Sequence, residues 1–78
     1  MIGYSQRIIR ANKHADKRML GVQLGRRAIE LNVSVVDIAN TCKVSRTAVY
    51  AWFTGVNDVS PKHEQAVKDL LDWFNKTA

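Results

Sequence analysis

Arg46, Thr47 and Tyr50 are the residues of this chain with the most chemistry to offer on one small surface. In the run Ser45-Arg46-Thr47-Ala48-Val49-Tyr50-Ala51-Trp52-Phe53, helical spacing turns Val49 and Trp52 to one side. Arg46, Thr47, Tyr50 and Ala51 are left on the other. A guanidinium, a hydroxyl and a phenol on an otherwise small surface suit the reading of base edges. The arginine fork matches O6 and N7 of guanine bidentately. The threonine suits a thymine methyl or a phosphate, and the tyrosine a phosphate or a sugar edge.

No rival chemistry gathers elsewhere. Cys42 falls on the inward side of a helix and reads as a small core residue. His14 and His63 have no metal-ligand spacing with it. There is no glycine-rich phosphate loop and no pair of carboxylates in an evident cleft. The expectation is a chain that is not an enzyme and uses no cofactor, metal or small-molecule ligand.

Two short helices must hold this face. Ser34 with Asp37 fits the S-x-x-D form of a capping box, which starts a helix over 35–42. Ser45 is the next good N-cap and starts a second helix over 46–53. Gly55 stands where a helix needs positive φ to stop. About three residues separate the two helices, a connection that turns the second sharply across the first. Ile38, Ala39, Val44, Val49 and Trp52 form one inward set.

This stretch resembles the Cro/C1-type (lambda-repressor-like) helix-turn-helix DNA-binding family. The resemblance lies in Ser34, Asp37-Ile38-Ala39, Val44-Ser45-Arg46-Thr47, Val49, Trp52 and Gly55. It covers residues 34–55 closely and the rest of the chain by helix order. Lys43 stands in the turn where the family usually has glycine, a left-handed position that costs another residue roughly 1–2 kcal/mol. The resemblance implies that Ser45, Arg46, Thr47, Tyr50 and Ala51 form the base-reading surface in the major groove. It also implies phosphate contacts from Ser34, from the loop at Asn57, and from Lys62 near the start of the last helix.

Composition sets the scale. Seventy-eight residues make one small domain, which buries only roughly 60% of its unfolded surface. A hydrophobic content of 46% is enough for a core. A lone cysteine fits a reducing compartment. No apolar run approaches the ~18 residues of a membrane span, and no secretory signal is evident. A cytoplasmic protein is expected, in a bacterial cell or a phage-infected host. The net charge of +5 is uneven: residues 1–27 carry +6, residues 28–55 carry none and residues 56–78 carry −1. Such one-sided basic charge is the footprint of a polyanion partner.

The remaining elements frame the pair. Residues 1–16 read as a basic N-terminal arm, with Tyr4, Ile8 and Ile9 forming a short helix, a strand or a pin to the body. From Lys17 to Leu31 the 4, 4, 3 spacing of Leu20, Leu24, Ala28 and Leu31 predicts a helix capped by Asp16. Gly21 and Gly25 would let a neighbouring helix approach closely, and Arg26 and Arg27 would lie on the outer side. Ser60-Pro61 opens a last helix running to about Asn75, with Val67, Leu70, Leu71 and Phe74 on one face. Trp73 and Phe74 either close the domain's own core or offer an apolar patch for a second subunit.

The expected architecture is all-α, a bundle of four main helices over 17–78 with a basic arm. The expected function is a sequence-specific transcription regulator, repressor or Cro-like, bound to double-stranded DNA. Lys13, Lys17, Arg26, Arg27 and Lys43 would supply phosphate contacts. A homodimer through Trp73 and Phe74 would read two half-sites. Two other roles use the same features: a DNA-binding module of a recombination or packaging apparatus, or a protein-interaction module acting on a larger partner such as RNA polymerase.

Overall fold

A computed structural model describes residues 4–77. Five helices follow one another: α1 Gln6–His14, α2 Leu20–Leu31, α3 Val35–Cys42, α4 Arg46–Phe53 and α5 Pro61–Thr77. Among the described residues there is no strand. No helix among them is long and apolar enough to cross a membrane.

The basic arm expected over 1–16 is, over its described part, a helix packed on the body, so the bundle has five helices and not four. Ser5 caps α1, its Oγ accepting from the Ile8 N–H at 3.3 Å. Tyr4, Ile8, Ala11, Asn12 and Ala15 fall on the covered side of α1, while Arg7, Arg10, Lys13 and His14 stay exposed. Tyr4 donates its hydroxyl hydrogen to the Val33 carbonyl, and its ring lies 6.0 Å from that of Phe53. The strongest tie is Asn12, only 3% exposed. Its amide nitrogen donates to the Phe53 carbonyl at 2.7 Å and to the Val22 carbonyl at 3.1 Å. Phe53 closes α4, and its carbonyl has no partner within that helix. One side chain therefore joins α1, α2 and α4.

α2 begins at Leu20 and not at Lys17. Asp16 does not cap it; its carboxylate accepts from the Arg18 N–H at 2.9 Å and pairs with the Arg18 guanidinium at 3.1 Å. That tie closes a separate turn, and the helix starts after Met19 with no side-chain cap. At the other end Asn32 takes the left-handed conformation expected of it, φ 57°. The two glycines of α2 do allow close approach to α4. A Cβ on Gly21 would fall 2.6 Å from Trp52 Cβ, and one on Gly25 would fall 2.7 Å from Phe53 Cγ and 2.8 Å from Asn12 Nδ2.

Leu24, Ala28, Ile38, Val49, Phe53, Val67 and Phe74 form the centre of the core. Phe53, at the end of the reading run, is fully buried, and burying such a side chain contributes roughly 1.5–3 kcal/mol. Phe74 faces this core, so only Trp73 remains outside, 60% exposed. α5 continues past Asn75 to Thr77. Cys42 is buried, which pushes its thiol pKa up.

Replacing Asn12 with alanine removes both amide bonds and leaves the Phe53 carbonyl buried without a donor. The expected loss is about 2 kcal/mol of stability, read from urea unfolding followed by circular dichroism. A change below about 0.5 kcal/mol, the usual range for surface substitutions, would show that the amide does not hold the three helices together.

Candidate nucleic-acid interface

α3 and α4 are bounded as their caps dictate. Ser34 Oγ accepts from the Val36 N–H at 3.1 Å, one residue earlier than a capping box with Asp37 would have it. Ser45 Oγ accepts from the Ala48 N–H at 3.1 Å. Lys43 ends α3 at φ 58°, and its N–H and that of Val44 both donate to the Ala39 carbonyl. The turn therefore keeps its left-handed residue without a glycine. Lys43 is exposed and carries the strain. After α4, Gly55 turns at φ 76°, and the N–H groups of Val56 and Asn57 fold back on the Ala51 carbonyl at 3.0 and 3.3 Å.

α4 then shows its chemistry outward. Val49, Trp52 and Phe53 are buried, whereas Ser45, Arg46 and Thr47 are exposed. Tyr50 is 40% exposed, and Ala51 is half-buried beside it. Among the described residues, the Arg46 guanidinium makes no ion pair. α4 is only eight residues long, too short to hold its shape alone in water. Its aim is set by the buried side and by the tie to Asn12.

α1 flanks this face, which the sequence pattern did not foretell. A groove of about 310 Å³ brings Tyr4, Ser5 and Ile8 together with Ser34, Arg46 and Tyr50. A larger one, about 630 Å³, runs between Arg7, Ile8 and Ala11 on one wall and Thr47, Tyr50, Ala51 and Thr54 on the other. Neither groove is lined by a carboxylate. Arg7 thus lines a groove beside this face, a position that the reading of the chain missed. Its signal lay in the sequence: Ser5 as a cap, and Tyr4, Ile8 and Asn12 at i, i+4 spacing.

The other expected phosphate contacts are dispersed. Ser34 borders the smaller groove with Arg46, and Asn57 and Lys62 are exposed after α4 and at the start of α5. Lys13 is exposed on α1 but lines neither groove. Lys17, Arg26 and Arg27 gather instead around a separate cavity with Glu30, Leu71 and Asn75. Arg26 and Arg27 are not on an outer face. Arg26 donates to the Asn12 and Lys13 carbonyls at 3.2 and 3.4 Å, closing the end of α1. Arg27 pairs with Glu30 at 2.7 Å and reaches the Phe74 carbonyl at 3.4 Å. These two arginines were expected to be free because periodicity along α2 does not show that α1 and α5 pack beside it. His63 is half-buried, with its Nδ1 3.0 Å from Ser60 Oγ and its ring 6.1 Å from that of Trp52.

Among the described residues no group of three or more His, Cys, Asp or Glu could hold a metal ion. The one strongly shifted phenol is structural. Burial first, and then Tyr50 nearby, push Tyr4 up to about 12. Its folded value lies above the unfolded one near 10, so its contribution is complete below about pH 10 and fades as pH rises to about 12. Tyr4→Phe should flatten that alkaline loss in melts recorded across the window, and an unchanged slope would place the titration elsewhere. Lys43→Gly should stabilise the fold by up to about 1 kcal/mol, the left-handed cost less the entropy glycine adds to the unfolded chain. Thermal unfolding measures it, and destabilisation would contradict strain in the turn. No family model matches the chain, nor does any curated protein or solved structure, so the reading of this face rests on its own residues and their geometry.

Proposed function

We propose that the chain is a sequence-specific DNA-binding transcription regulator built on a helix-turn-helix. In this reading α3 crosses the DNA backbone and α4 enters the major groove. The observation that carries it is the outward stripe of Arg46, Thr47 and Tyr50 on a doubly capped pair of helices, with no carboxylate lining the grooves beside it. A major groove admits one helix, and each base pair presents a distinct pattern of donors and acceptors there.

Arg46 takes the specificity contact to guanine. Thr47, Tyr50, Ala51 and Ser45 complete the reading surface. Lys43, Ser34, Asn57 and Lys62 remain exposed or half-exposed around it and suit phosphate oxygens. Arg26 and Arg27 are occupied within the fold and serve α2 rather than the duplex in this account. Regulation would follow from occupancy of a site that competes with polymerase or positions it. If two subunits bind together, their half-sites lie roughly 34–36 Å apart, one helical turn.

Selection of bound duplexes from a random pool tests the reading directly. The expected result is an enriched motif containing a guanine, palindromic if two subunits bind. Arg46→Ala should then cost roughly 1–3 kcal/mol on the selected site and relax preference at that one position. Equal losses on selected and scrambled duplexes would remove Arg46 from base reading. No enrichment at all would contradict sequence-specific binding.

A further inference from the structure

Three of the seven cations in residues 1–27 are tied down by the fold. Arg18 is tied to Asp16, Arg26 to the last carbonyls of α1, and Arg27 to Glu30 and α5. Arg7 is different. It is exposed, and among the described residues its guanidinium makes no hydrogen bond or ion pair. It nevertheless stands at a defined place, on the wall of the 630 Å³ groove opposite Thr47, Tyr50 and Thr54. α1 cannot drift away from α4, because Asn12 holds the Phe53 carbonyl at 2.7 Å.

The groove's chemistry is divided in a way that suits one kind of ligand. A cation and hydroxyls stand at its rim, and Ile8, Ala11 and Ala51 supply aliphatic surface between them. No acid is present in α1. A sugar–phosphate strand has the complementary division, with anionic oxygens along its edge and apolar deoxyribose faces between. An arginine fork matches phosphate oxygens bidentately, and the Ser5 hydroxyl, which only accepts within the fold, can donate to the same oxygens from the same wall.

We propose that the groove between α1 and α4 seats one sugar–phosphate strand of the duplex, and that Arg7 grips its phosphate. The proposal rests on the DNA-binding reading above and adds to it a second helix. α4 reads bases while α1 clamps the strand bordering the major groove. The cation that matters for affinity on α1 is then Arg7 rather than Arg10 or Lys13, neither of which lines the groove.

The test is a set of fluorescence-anisotropy titrations of the full chain over a range of salt, on a selected duplex and a scrambled one. Wild type, Arg7→Ala and Arg18→Ala are compared, with circular dichroism melts confirming that the exposed substitutions leave the fold intact. Arg7→Ala should reduce the slope of log affinity against log salt by roughly one on both duplexes alike. Arg18→Ala should leave it unchanged. If wild type binds but Arg7→Ala keeps its slope and affinity, the strand does not lie in this groove, and the DNA-binding reading stands without it. A loss confined to the selected duplex would make Arg7 a base reader and overturn the phosphate grip. If wild type shows no salt-dependent binding to either duplex, the DNA-binding reading itself fails.

Discussion

The fold depends on one buried amide. Asn12 donates two hydrogen bonds from the same nitrogen, one to the last carbonyl of α4 and one to a carbonyl inside α2. A buried amide is costly unless paired, and a buried helix end is costly unless capped. The two costs cancel here because each group satisfies the other. Such a match has a geometric condition: backbones must come close enough for a short side chain to reach. Gly25 meets it, since a Cβ there would strike both Phe53 and the Asn12 amide. Arg26 then closes the end of α1 from the same turn of α2.

The consequence for function is positional. An eight-residue helix has little stability of its own, and under the proposed function it must still present its side chains at fixed angles. α4 gains that rigidity from Val49, Trp52 and Phe53 in the core, from Gly21 and Gly25 beneath it, and from Asn12 at its end. The same amide fixes α1 alongside. The outward face is therefore a joint product of two helices, with Arg46 and Tyr50 on one and Arg7 on the other. The Asn12 tie makes no demand on the exposed residues, so Arg7, Arg46 and Thr47 can change without loss of the fold.

Much of this was legible in the chain. Ser34, Ser45 and Pro61 mark helix starts that the structure places at Val35, Arg46 and Pro61, because caps are local and need no tertiary context. Asn32 and Gly55 mark the stops for the same reason. The close approach at Gly21 and Gly25 was also visible, as small residues at helical spacing. The first helix stayed one option among three because the buried centre of its inner face is polar, an asparagine where a core residue would be apolar. Asn12 looks like a surface residue until its two carbonyl partners are known, and those lie 10 and 41 residues away. The basic front of the chain likewise read as one patch. Packing splits it, sending Arg26 and Arg27 into structural roles and leaving Arg7 beside α4. Charge counts along a sequence do not reveal which cations already have partners.

Under the proposed function, α1 and α4 together form one DNA-facing surface. Backbone amide shifts recorded during titration with a selected duplex test it most directly. The expected result is that shifts concentrate at residues 45–51 of the α4 segment and at residues 7–11 of α1, with α5 around Leu70 and Trp73 largely still. Shifts confined to α5, or spread over α4 while α1 stays unmoved, would contradict a surface shared by the two helices.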